Sequence, residues 1–151
     1  MTEPLSGMFH GFDIIGSGLK AEQQRAEVVA ANLANIASTG NKHHEPYRRK
    51  SVVFAEVLDQ ASSLHGIDGA DQLAGGVRVA KVVEDRSQFP KFMEPGNPQA
   101  DEDGWVWTSN VDVFKELVDM SAIERSHEAN LAALRVYRGM LQATVTNIGR
   151  S

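Results

Sequence analysis

The residues with the most obvious chemistry are the histidines and the clustered carboxylates. Five histidines occur in 151 residues, and His43-His44-Glu45 sets two of them beside an acid. A helical zinc site needs two ligands on one face, as in H-E-x-x-H, and that spacing is absent, so a solvated loop is the better reading. Asp101-Glu102-Asp103 offers adjacent carboxylates, but acid catalysis needs an apolar pocket to raise one of them, and the surrounding Pro, Gly and Asp residues describe a solvated turn. Gly11 to Ser17 has the glycine spacing of a phosphate loop with Ser17 where lysine should stand. Gly16-Ser17-Gly18 follows no strand, so neither nucleotide fingerprint holds. Trp105 and Trp107 suit a core or a protein interface better than a ligand platform. His127 reads as an interface residue on a helix seam, a pH-sensitive contact being the minority reading. These patterns predict no catalytic group, no cofactor and no metal site.

Composition narrows the classes further. A hydrophobic content of 42% and a charged content of 23% are those of a folded domain. The net charge of −5 argues against a general nucleic-acid binder, which normally carries a basic face to release phosphate counterions. With no cysteine, disulfides and thiolate chemistry are excluded. Glu3 stands where a secretory signal would be basic, and Ser6, Gly7, His10 and Asp13 break the apolar residues around it. The expectation is a chain without a cleaved signal peptide, soluble or exported by another route. No apolar run approaches the roughly 20 residues of a membrane-spanning helix.

The elements that must position these residues are dominated by two periodic stretches. From Asn110 to Ile148 a four-and-three series runs Val113, Leu117, Met120, Glu124, His127, Leu131, Leu134, Arg138, Leu141, Val145 and Ile148. This is the coiled-coil period, with polar breaks at Glu124, His127 and Arg138. Ser109 and Asp112 resemble a capping box that starts the helix, and Gly149 stops it. The companion series is Phe12, Ile15, Leu19, Glu22, Ala26, Val29, Leu33 and Ile36, which predicts a helix from about Phe12 to Ala37. Gly16 and Gly18 should weaken its first turns or admit a close neighbour. The second helix is then longer by about a dozen residues, nearly 20 Å at helical rise, and that surplus must contact the insertion or another molecule. Small residues off the seams, Ala30, Ala31, Ala34 and Ala37 on one helix and Ala129, Ala132 and Ala143 on the other, permit further close neighbours, or are neutral helix formers.

Between the helices, Tyr47 to Leu58, Gly76 to Glu84 and Trp105 to Trp107 read as strands, and Asp59 to Gly76, around Leu64, Ile67 and Leu73, as a mobile loop. The fold class is therefore α+β. Residues 1–40 and 109–151 form a terminal-helix domain paired as an antiparallel coiled coil, and residues 41–108 a small β-rich insertion. The basic run Arg48-Arg49-Lys50 and the acidic turn with Asp101 and Asp103 are candidates for an electrostatic contact between subunits, two solvated loops being the plain alternative.

Phe12-Asp13-Ile14-Ile15-Gly16-Ser17-Gly18-Leu19 with Ala31-Asn32-Leu33-Ala34-Asn35 resembles the N-terminal signature of bacterial flagellar axial proteins. Gly76-Val77, Glu94-Pro95-Gly96-Asn97-Pro98, Asn110-Val111-Asp112 with Glu116 and Met120, and Arg125-Ser126 with Glu128-Ala129-Asn130 extend it to the proximal-rod members of the flagellar basal body. Departures are Ser109 in place of a usual proline, His127 in place of tyrosine and Leu117 in place of methionine. The resemblance implies a non-enzymatic rod subunit that crosses the periplasm and is exported by the flagellar type III apparatus without a cleaved signal. Its partners would be copies of itself, other rod proteins and the adaptor between rod and membrane ring. The assembly residues expected on this basis and on the seams are Ile15, Leu19, Ala31, Asn32, Leu33, Asn35, Asn110, Asp112, Met120, His127, Asn130, Leu134 and Leu141. An amide on a helix seam can fix register between helices. The competing reading is a monomeric helical hairpin that presents its β insertion to one partner protein.

Overall fold

A computed structural model describes residues 3–57 and 75–149. The expected mobile loop at 59–76 lies outside the described residues apart from Gly75 and Gly76. The chain is α+β: α1 (Glu3–Ala34), β1 (Thr39–Gly40), β2 (Lys50–Glu56), β3 (Val77–Glu84), β4 (Lys91–Met93), β5 (Trp105–Thr108) and α2 (Val113–Ile148). Strand β5 is central in a three-stranded sheet of order β1-β5-β4, antiparallel to both neighbours, while β2 pairs with β3. Neither β1 nor β4 carries a sequence pattern that announces a strand, and each is held by pairing with β5.

The helices differ from expectation at their ends. Helix α1 begins at Glu3, not near Phe12, and its 32 residues approach the 36 of α2, so the expected surplus of a dozen residues is not observed. The glycines do not delay the helix, and Pro4 falls in the first turn, where a missing N–H costs no intrahelical bond. At the other end Asn35 Nδ2 donates to the Ala31 carbonyl at 2.8 Å, and turns at residues 35–37 replace the expected last helical residues. Helix α2 begins at Val113, and its cap is Asp112. The Asp112 carboxylate accepts the Phe114 N–H at 2.9 Å and the Lys115 N–H at 3.4 Å. Ser109 is not the cap: its hydroxyl accepts the Val111 N–H at 3.3 Å, ahead of the helix.

The chain divides into two compact units, one of residues 1–23, 54–80 and 124–151, the other of residues 24–53 and 81–123. Within the first unit the Phe12 and Tyr137 rings meet edge to face at 5.0 Å between centroids. Gly11 is required there, because a Cβ would lie 2.4 Å from the Tyr137 ring. Gly18 faces the Asn130 amide, Ser126 Oγ donates to Glu22 at 3.1 Å, and Ala21 is buried. Ser17, the residue of the failed phosphate loop, lies in α1, where its hydroxyl donates to Ile14 O at 2.7 Å and accepts the Val77 N–H at 3.0 Å. The second unit has an apolar core of Val29, Phe89, Val106, Val111 and Ile123.

Candidate assembly interface

In the second unit the inward face of α2 is polar at Glu116 and Asp119 and apolar at Met120 and Ile123. Asn32 and Glu116 are both 0% exposed. The Asn32 amide donates to Glu116 Oε2 at 2.9 Å and to the Lys50 carbonyl at 2.8 Å. Its oxygen accepts the Lys50 N–H at 2.9 Å and the Tyr47 hydroxyl at 3.0 Å. A primary amide has two donors and two acceptor positions, and all four are in use. Asn32 thus imitates a strand residue, binding both backbone groups of Lys50 at the start of β2.

Arg49 completes the cluster. Its Nε donates to Glu116 Oε1 at 2.6 Å and its Nη2 to Asp119 Oδ2 at 3.2 Å, while Arg25 Nη2 donates to Asp119 Oδ1 at 3.2 Å. The Arg49 N–H goes to Asn110 Oδ1 at 2.7 Å, and Asn110 Nδ2 donates to the Asp85 carbonyl at 3.0 Å and Ser87 Oγ at 2.9 Å. Each carboxylate oxygen of Glu116 and Asp119 is therefore engaged by a cation or an amide, which leaves neither acid free as a base. The arrangement is a clamp joining the end of α1, the start of β2 and the first turns of α2. Burial pushes the Tyr47 phenol above its ordinary pKa, and the carboxylates of Glu116 and Glu84 add to that, which keeps its proton on the bond to Asn32. The backbone and hydroxyl of Ser87 hold Asp85 below the usual carboxylate range.

The outward face of this part of α2 is apolar. Phe114 is 80% exposed and Val118 69%, with Val113 and Leu117 also exposed. Phe114 and Glu116 are two residues apart, about 200° around a helix, so the charged side faces the molecule and the apolar side faces away. Along α2 in the first unit Ser126, Asn130, Leu131, Leu134, Tyr137 and Leu141 are partly buried, while Val136, Met140 and Val145 are exposed. Of the seam expected from Val113, Met120, Leu131, Leu134 and Leu141 are partly buried, whereas Val113, Leu117, Glu124, His127, Arg138 and Val145 are exposed, and Glu116 and Ile123 beside it are buried.

Of the expected assembly residues, Asn32 and Asn110 are brought together in the clamp, and Asp112 caps α2. Ile15, Leu19, Leu33, Met120, Asn130, Leu134 and Leu141 are partly buried within the chain, and Ala31, Asn35 and His127 are exposed. The basic run is largely engaged inside the chain: Arg49 in the clamp, Arg48 with Glu45 at 3.0 Å and 4.1 Å from the Phe89 ring centre, and the Lys50 ammonium 5.6 Å from that of Tyr47. Asp101 accepts the N–H groups of Asp103 at 3.1 Å and Trp105 at 2.8 Å. The residues that sequence reasoning did not place are Arg25, Tyr47 and Asp119, with Glu116 as their buried centre. Acids at Glu116 and Asp119, one turn apart and opposite Phe114 and Val118, are the signal that would have found them. Among the described residues no three His, Asp or Glu side chains gather as a metal site, and His43 and His44 are exposed in a turn capped by Asn41 Oδ1. No helix among the described residues is long and apolar enough to cross a membrane.

Comparison with known proteins places this geometry among relatives. Residues 12–42 match the sequence family described as "Flagella basal body rod protein", and residues 102–148 match "Flagellar basal body rod FlgEFG protein C-terminal". The chain is 41% identical over 135 residues to the flagellar basal-body rod protein FlgC of Salmonella typhimurium, covering 89% of this chain and 93% of that one. Identity to FlgC of Bacillus subtilis is 37% over 139 residues, with 88% and 93% covered. FlgC of Buchnera aphidicola is 35% identical over 137 residues, with 89% and 93% covered.

Proposed function

The chain belongs to the flagellar basal-body rod protein FlgC family, a structural subunit of the basal-body rod and not an enzyme, and on that premise we propose how it assembles. Its two terminal helices pair as an antiparallel coiled coil within each subunit. Contacts that advance along α1 retreat along α2, from Gly11 with Tyr137 to Gly18 with Asn130 in one unit, and from Arg25 with Asp119 to Asn32 with Glu116 in the other. Residues 1–40 and 109–151 then act as the stave, and residues 41–108 as an insertion that braces it.

The observation that carries the reading is the outward apolar face of α2, with Phe114 and Val118 its most exposed members. Exposed apolar side chains on the side of α2 opposite the clamp suit a stave better than a monomer, because that surface is covered only by neighbours. The neighbours are other copies of this chain and other rod components, in the proximal rod across the periplasm. The rod-to-membrane-ring adaptor is a further partner, and export runs through the flagellar type III apparatus without a cleaved signal. Ile15, Leu19, Leu33, Met120, Leu134 and Leu141 hold the helices of one subunit together, while Ala31, Asn35 and His127 are open to neighbours. Deleting the gene in a flagellated cell tests the role: hook-basal bodies are expected to be absent and restored by the gene in trans. Complete hook-basal bodies and motile cells without it would refute it.

A further inference from the structure

The β4–β5 hairpin has ends of opposite charge. Its paired positions run from Pro90 and Thr108, through Lys91 opposite Trp107 and Met93 opposite Trp105, to Glu94 and Gly104. At the Pro90 end a cavity of about 300 Å³ is lined by Arg48, Arg86, Lys91, Phe89, Trp107 and neighbouring residues. Arg48 lies over the Phe89 ring, and the Lys91 ammonium is 4.6 Å from the Trp107 ring centre. Cations held over rings are partly ordered before an anion arrives. The Trp107 indole N–H is buried and has no acceptor among the described residues. Glu45 offsets one of the three cations, through Arg48.

At the other end the chain turns through Asp101, Glu102 and Asp103. Gly104 sits at a φ of 81°, and its N–H donates to the Asp101 carbonyl at 2.9 Å. That left-handed conformation suits glycine and lets the turn close tightly. Glu102 and Asp103 are exposed, and Lys42 lines the same depression. Each end thus keeps an excess of its own sign. The four residue steps from Pro90 to Glu94 extend about 14 Å at strand rise, so the two ends of one hairpin do not meet.

We propose that the Arg48–Arg86–Lys91 cavity of one subunit receives the Glu102–Asp103 turn of a second copy of this chain. The inference rests on the rod reading above. Head-to-tail contact joins two different patches of identical chains and propagates a polymer, and here both patches are present on one short hairpin. Charge complementarity fixes which end meets which and steers the encounter. Arg49 and Lys50 take no part, being engaged in the clamp and over Tyr47. Asp101 acts indirectly, since its carboxylate holds the turn.

Two charge reversals and one cross-link test the contact in flagellated cells. R86E/K91E and E102K/D103K are each expected to weaken the contact at least about tenfold, the effect of losing a close charge pair, and so to reduce motility. Combined in one chain they should restore it, because every contact regains opposite signs. In this cysteine-free chain, R86C with E102C should give disulfide-linked dimers in isolated basal bodies, and either cysteine alone none. Full motility of both reversals, with no dimer in basal bodies that contain the chain, overturns the contact. Impairment by each reversal without rescue by the combination, again with no dimer, overturns the second copy as the occupant. Wild-type basal bodies lacking the chain would instead refute the rod reading itself.

Discussion

Asn32 and Glu116 hold the second unit together through one set of satisfied polar contacts, and the cost of disturbing them is asymmetric. A buried ion pair adds little compared with well-packed apolar residues, but removing one partner strands the other. Glu116→Ala would leave the Arg49 guanidinium without its 2.6 Å partner and one Asn32 N–H without an acceptor. The expected loss is about 3–5 kcal/mol. Glu116→Gln keeps the shape but only one acceptor oxygen, so its NH2 faces the donor of either Arg49 or Asn32, and it should still cost about 1–3 kcal/mol for the buried donor left without an acceptor. Urea unfolding followed through Trp105 and Trp107, both in this unit, measures it. Equal stability of wild type and Glu116→Ala would mean that the cluster is solvated and not a clamp.

At the scale of elements, period and end signals are separable, and they were legible to different degrees. Both helices follow from four-and-three spacing, and β2, β3 and β5 from their β-branched and aromatic residues. The outward turn of Leu117 and Val118 was not legible, because the usual inference sends apolar residues inward. That rule describes a monomer, whereas Leu117 and Val118 face outward and Glu116 and Asp119 inward. The polar residues can face inward only because Asn32, Arg25 and Arg49 arrive from sequence-distant elements, and no single stretch displays that match. The clamp was visible in part, as Asn32 and Asn110 stood out while their partners did not. The cap was misassigned because Ser109 and Asp112 are both good capping types three residues apart, and only backbone geometry distinguishes them. Asp112→Ala should therefore cost about 1 kcal/mol, and Ser109→Ala less, despite its burial. Denaturant midpoints of the two variants, compared at constant m-value, check the order; a larger loss at Ser109 would return the cap to that residue.

For the whole molecule, the exposed apolar face proposed for assembly can be altered apart from the contacts that hold the subunit. In the second unit Glu116 and Asp119 face the clamp and Ile123 is buried, while Phe114 and Val118 on the other side of α2 take no part in those contacts. Here Phe114 and Val118 are so exposed that Phe114→Asp and Val118→Asp should change subunit stability by less than about 0.5 kcal/mol. Each buries a charge once neighbours cover the face, however, and an unpaired charge in an apolar interface is costly enough to abolish assembly. Cells carrying either variant are expected to make a folded, exported chain that is missing from hook-basal bodies, read by immunoblot of the isolated structures together with thermal melting of the purified chain. Val118→Ile, which keeps the face apolar, should leave both unchanged. If the aspartate variants entered basal bodies at wild-type amounts, the outward face of α2 would not be an assembly surface, and the apolar stripe would have to be covered from within the chain.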